Sequence, residues 1–196
     1  MVKYGVHKKL IHLAIGGKNP LRLEPIESPK SILLKFIYFV SKKLYGKVLA
    51  PIKILYARSF PILFASNKIL SVEKKLVLPK ELRILIRNYV ANLNGCEFCS
   101  NLQLYEAMKN SLEFQKVQDL LNFRKSDNYS PKEKAMLAYV EEVSFSKKSS
   151  DGTFAELQKY FSEREIVEIT WMNASEHYFN FLGIPLELTS DELVKG

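Results

Sequence analysis

Leu78-Pro79-Lys80-Glu81-Leu82-Arg83-Ile84-Leu85-Ile86-Arg87-Asn88-Tyr89-Val90-Ala91-Asn92-Leu93-Asn94-Gly95-Cys96-Glu97-Phe98-Cys99 is the stretch that decides the fold. Its apolar residues Leu82, Leu85, Ile86, Tyr89, Val90 and Leu93 recur at the spacing of a helix buried on one face. Pro79 stands near the first helical position, where its missing N–H costs nothing, and Glu81 lies in the electropositive first turn. Asn94-Gly95 supplies the stop. Beyond it lie the only two cysteines in the 196 residues. Cys96 and Cys99 therefore open the next helix, which continues through Leu102, Leu104, Tyr105 and Met108. At that spacing two sulfurs can meet, and the partial positive charge of a helix N-terminus favours a thiolate. This is the arrangement of a redox-active dithiol.

Working outward, the same periodicity recurs. Leu33, Phe36, Ile37, Val40 and Leu44 mark a helix within a segment from Ser31 to about Lys75, which Pro51 and Pro61 divide into two or three helices. Ser130-Pro131-Lys132-Glu133 and Ser162-Glu163-Arg164-Glu165 both have the form of a capping box. The helices behind them run through Met136, Leu137, Val140 and Val143, and through Ile166, Ile169, Trp171 and Met172. No stretch alternates with a period of two, and no glycine-rich phosphate loop is present. The fold class is all-α. Residues 1–30, with Gly16-Gly17, Pro20, Pro25 and Pro29, read as an irregular arm.

Composition narrows the classes further. Hydrophobic residues at 47% and charged residues at 26% are ordinary for one well-cored globular domain. Two cysteines do not make a disulfide-stapled secreted scaffold, so the pair points to redox chemistry in a reducing compartment. Metal binding is disfavoured, because the chain has no second CxxC and no close pair among its three histidines. The apolar run Leu10–Ile15 is too short for a signal-peptide core, and no window reaches the roughly 20 apolar residues of a membrane helix. The expectation is a cytoplasmic protein. Residues 1–80 carry 16 Lys+Arg against 3 Asp+Glu, whereas residues 81–196 carry 13 against 18, a net of +13 against −5. That asymmetry fits either an anionic partner for the N-terminal segment or lysines solvated on amphipathic helices.

The order of motifs resembles the carboxymuconolactone decarboxylase superfamily, and within it the alkyl hydroperoxidase D-like branch. The resemblance rests on Tyr56-Ala57-Arg58-Ser59-Phe60-Pro61, Leu78-Pro79, Leu93 to Cys99, Ser130 to Ala135, Phe161 to Glu168, and Tyr178 to Leu186. It covers roughly residues 50–190, which sets off residues 1–50 as a basic, helical N-terminal extension and 51–190 as the helical domain. It implies an all-α bundle that forms homo-oligomers and a thiol-dependent antioxidant oxidoreductase needing no organic cofactor. In that scheme Cys99 is the attacking thiolate and Cys96 closes the disulfide. A hydroperoxide or disulfide is the substrate, and an external dithiol resets the pair.

Two positions depart from the family pattern. The family's histidine, four residues after the second cysteine, is Gln103, and its glutamate, twelve residues before the first, is Ile84. Gln103 can hydrogen-bond but cannot take up a proton near neutral pH. His177 is the only histidine within the family-like region; it either faces the cysteine pocket or packs at a helix interface with its hydrogen bonds satisfied. His7 and His12 lie in the arm. The competing reading is a non-enzymatic helical oligomer whose basic segment docks on an acidic partner and whose cysteines are vestigial or sensing.

Overall fold

A computed structural model describes residues 21–110, 112 and 114–194. His7, His12 and the first part of the basic arm lie outside the described residues. Among the described residues eight α-helices follow one another: α1 (Ile32–Tyr45), α2 (Phe60–Glu73), α3 (Lys80–Asn94), α4 (Glu97–Lys109), α5 (Phe114–Gln118), α6 (Pro131–Ser146), α7 (Asp151–Gln158) and α8 (Glu163–Gly183). A π-helical turn, Ile52–Tyr56, joins α1 to α2, and short 3-10 turns cover Leu120–Asn122 and Ile184–Leu186. No strand occurs among the described residues, and none of their helices is long and apolar enough to cross a membrane.

The local rules read from sequence are visible as hydrogen bonds. Ser130 Oγ accepts from the Glu133 N–H while the Glu133 carboxylate accepts from the Ser130 N–H at 2.8 Å, and Ser162 with Glu165 repeats the pattern. Pro79 begins α3, and the N–H of Leu78 before it is satisfied from a distance by Glu168 Oε2 at 2.8 Å. α3 ends at Gly95 in the left-handed conformation, φ 68°. The Gly95 N–H then donates to the Asn92 carbonyl and the Cys96 N–H to the Ala91 carbonyl, the paired bonds of a Schellman motif.

α3 is the central helix and packs against α4, α6 and α8. Its two faces serve two clusters. One, with Leu85, Ile86 and Tyr89 of α3, meets Met136 and Leu137 of α6, Leu157 of α7 and Ile169 of α8. The other is smaller and holds the cysteines together with Ala91, Phe98, Leu49, Ile54 and Leu188. Leu49, Ala50 and the C-terminal segment thus contribute directly to the surroundings of the CxxC.

Candidate functional site: a buried dithiol beside an apolar cavity

Cys96 completes the end of α3 through its N–H and, in the same residue, caps α4. Its Sγ accepts the Cys99 N–H at 3.3 Å, one of the free donors at that helix start. The two cysteines are joined as a disulfide with Cα atoms 5.2 Å apart. Both are buried. Behind Cys96 are Gly183 and Leu188: a Cβ added at Gly183 would stand 3.9 Å from Cys96 Sγ and 3.4 Å from Leu188 Cδ1. Cys99 lines a cavity of about 780 Å³ between α1, α2, α3, α4 and α8, and Gly183 and Leu188 line the same cavity.

The walls of that cavity are largely apolar, with Leu44, Leu49, Leu63, Leu102 and Phe179 among them. Ile84 and Gln103, the positions that depart from the family pattern, also line it, and Gln103 is buried. Sequence reasoning missed a third feature, a buried ion cluster in the same wall. Arg87 on α3 pairs with Glu176 on α8 and with Glu73 at the end of α2, and its guanidinium lies 5.4 Å from the Phe179 ring centroid. Complete burial pushes the Glu176 carboxyl above its ordinary value, against the pull of Arg87. Burial also opposes the charge on Arg87, but the Glu176 and Glu73 carboxylates outweigh it and hold the guanidinium charged.

From Glu176 a polar chain runs away from the cavity. Asn180 Nδ2 donates to Glu176 Oε1 at 2.7 Å, and Asn94 Nδ2 donates to Asn180 Oδ1 at 2.8 Å. Asn94 Nδ2 also lies 2.9 Å from His177 Nδ1, while His177 Nε2 lies 3.1 Å from Ser144 Oγ, which donates onward to Asn173 Oδ1. With Asn94 as donor, His177 is a neutral imidazole that accepts at Nδ1 and donates from Nε2. Burial, and secondarily Lys147, lowers its pKa and favours that neutral form. His177 is not among the residues lining the cavity. It reaches the cysteines only through Asn94, two residues before Cys96. Tyr89, two turns before Cys96, points into the larger core and donates to Glu141 Oε1 at 2.7 Å. Among the described residues, no group of three or more His, Cys, Asp and Glu is placed to hold a metal ion.

Comparison with known proteins agrees with this fold. Residues 69–142, spanning α3, α4 and most of α6, match the model of the carboxymuconolactone decarboxylase family. The uncharacterised protein YdfG of Bacillus subtilis is 26% identical over 115 residues, 58% of this chain and 78% of that protein. A crystal structure from Agrobacterium tumefaciens, of a protein of unknown function provisionally assigned to antioxidant defence as an AhpD, shares 25% identity. It aligns with a TM-score of 0.67 over 70% of this chain and 96% of its own. The alkylhydroperoxidase AhpD core of a peroxidase-related protein from Ralstonia eutropha aligns with a TM-score of 0.77 over 89% of this chain and 95% of its own; at 16% identity it speaks for the fold alone. Residues 69–142 thus match the carboxymuconolactone decarboxylase family, and the all-α fold is that of alkyl hydroperoxidase D-like proteins.

Proposed function

We propose that this protein is a thiol-dependent antioxidant oxidoreductase of the cytoplasm whose working group is the Cys96–Cys99 dithiol. The observation that carries this reading is the placement of the pair: Cys99 borders an apolar cavity large enough for a substrate, and Gly183 and Leu188 of the same lining stand behind Cys96. In the reduced protein the N-terminal turn of α4 favours the Cys99 thiolate. The thiolate attacks one peroxide oxygen, the O–O bond breaks, and the alcohol leaves after taking up a proton. Cys99 is thereby oxidised to a sulfenic acid. Cys96 attacks that sulfur, the S–S bond forms, and the hydroxide leaves as water with the proton from Cys96. Two electrons pass from the dithiol to the peroxide. An external dithiol returns them by two exchange steps through a mixed disulfide. A disulfide substrate enters the same cycle by exchange at Cys99.

Ile84 and Gln103 provide no group that takes up a proton near neutral pH. The thiolate then depends on the helix terminus and on solution pH, so this dithiol is a slower peroxide reductant than one with a histidine beside it. The test mixes fully reduced protein with a hydroperoxide, and separately with a low-molecular-weight disulfide, and follows free thiol and peroxide. Loss of two thiols per oxidant consumed, abolished in Cys99→Ser, is the expected result. Inert thiols in the native fold, or equal consumption in Cys99→Ser, would overturn it.

A further inference from the structure

The cavity beside Cys99 has a charge pattern that its apolar lining does not require. Three cations cluster where α2 meets α3. Lys74 follows Glu73, the Glu73 carbonyl accepts a hydrogen bond from Arg83, and Lys80 precedes Arg83 by one turn of α3. All three line the cavity, and none of them forms an ion pair among the described residues. Lys74 and Lys80 are exposed at the mouth and Arg83 is half-buried, with a buried Nε that has no hydrogen-bond partner. Arg87 is deeper and already neutralised, since Glu73 and Glu176 both pair with it. The remaining acidic lining residue, Glu106, comes from α4.

From this cationic corner an apolar path leads inward. Phe36, Leu44 and Leu70 line the cavity while remaining 61%, 52% and 45% exposed, an unusual amount of apolar surface to leave in water. Ile84, Leu102 and Phe98 continue it towards Cys99. Roughly 12 Å of helix separates Arg83 from Ala91, which packs in the same cluster as the cysteines. A ligand matching the whole length must be anionic at one end and aliphatic along the rest.

We infer that the cavity binds an amphipathic carboxylate, a fatty-acid-like chain with its head at Lys74, Lys80 and Arg83 and its body against the apolar wall. Its hydroperoxide is then the substrate class of the dithiol. The binding part stands on the cavity alone; the fate of the hydroperoxide rests on the function proposed above. Exposed cations each add only modestly and are screened by salt, so discrimination comes from several together.

The test compares linoleic acid hydroperoxide with its methyl ester, which has the same apolar body and no charge. Reduced protein is expected to lose thiol about tenfold faster with the acid than with the ester at low ionic strength. That ratio falls towards one at high salt, in Lys80→Gln and in Arg83→Gln; Lys80 is exposed, so its substitution does not threaten the fold. Equal rates for acid, ester and a small neutral hydroperoxide would overturn this inference and leave the dithiol function standing. Calorimetric titration of the oxidised protein with linoleate separates the two claims further. Salt-sensitive binding without thiol oxidation by any hydroperoxide supports the site and refutes the function. No linoleate binding, with sedimentation showing a stable dimer, means that a second copy of the chain covers the groove and overturns the site.

Discussion

At Gly95 the backbone stands at φ 68°, where a Cβ is strained, and its turn places Cys96 so that one residue ends α3 and caps α4. Gly95→Ala should therefore cost about 1–2 kcal/mol in urea unfolding. Gly183 lies on the other side of Cys96 with an ordinary helical backbone, and an added methyl would meet Leu188 at van der Waals distance, 3.4 Å. Gly183→Ala is expected to be neutral or to stabilise by about 0.4–1 kcal/mol, because it restricts the unfolded chain. Two glycines flanking one cysteine thus give opposite signs, and equal destabilisation by both would contradict the account. Gln103 makes the third case at this scale. It is buried in the cavity wall one turn after Cys99, where an imidazole could take the thiol proton. If the dithiol is the working group, Gln103→His should raise the rate of thiol oxidation by hydroperoxide near neutral pH at least about tenfold. An unchanged rate would mean that proton uptake does not limit the attack.

Between elements, a buried ion pair, Arg87 with Glu176, joins α3 to α8. Arg87→Ala would leave the fully buried Glu176 carboxylate without its cation, and such a loss is worth about 3–5 kcal/mol. A change below about 1 kcal/mol in urea unfolding would show that Glu176 is neutral and Arg87 dispensable. The start of α6 offers a different, pH-dependent case. Burial works against the Glu133 charge, but Lys116 and the Ser130 N–H and hydroxyl outweigh it and hold its pKa below the usual carboxylate range. A folded pKa below the unfolded one gives stability that is complete above the unfolded value, roughly 4.3, and is lost as pH falls through the folded value. The stability difference between wild type and Glu133→Gln, measured by urea unfolding, should accordingly shrink on acidification below about pH 4. A difference that persists unchanged there would remove the electrostatic explanation. These elements also separate what was legible in the sequence from what was not. The stop at Gly95, the start at Cys96 and both capping boxes depend on residues within a few positions of one another, and the structure shows each of them. The π-helical turn at Ile52–Tyr56 had no comparable signal, and the short helix Asp151–Gln158 offered only the Ser150 N-cap and Asp151 in its first turn. The Arg87–Glu176 pair spans 89 positions, and only a charge among the buried residues of two amphipathic helices hinted at it.

For the whole molecule, the segments outside the central helices converge on the cysteines. Arg22 pairs with Glu187, the Ala50 N–H donates to Asp191 Oδ2 at 2.8 Å, and the Leu193 N–H donates to Asn101 Oδ1 on α4 at 2.9 Å. Between these tethers Leu188, 6% exposed, is pressed into the cluster that contains Cys96 and Cys99. The C-terminal segment is thus a strap over the disulfide, held by a few hydrogen bonds and by the buried Leu188, with the partly buried Leu186 and Leu193 packed against the same cluster. Local opening of such a strap takes less free energy than global unfolding. Leu188→Ala removes its main apolar anchor, at a cost of about 2–5 kcal/mol that falls mainly on the strap. Reduction of the Cys96–Cys99 disulfide by dithiothreitol should then accelerate about tenfold or more at neutral pH. Leu157→Ala is the proper control, because Leu157 is fully buried in the other cluster and its loss weakens the fold without touching the strap. If both variants accelerate reduction equally, the reductant reaches the sulfurs by global unfolding. If neither does, it enters through the cavity beside Cys99, and the strap serves only to hold Cys96 in place.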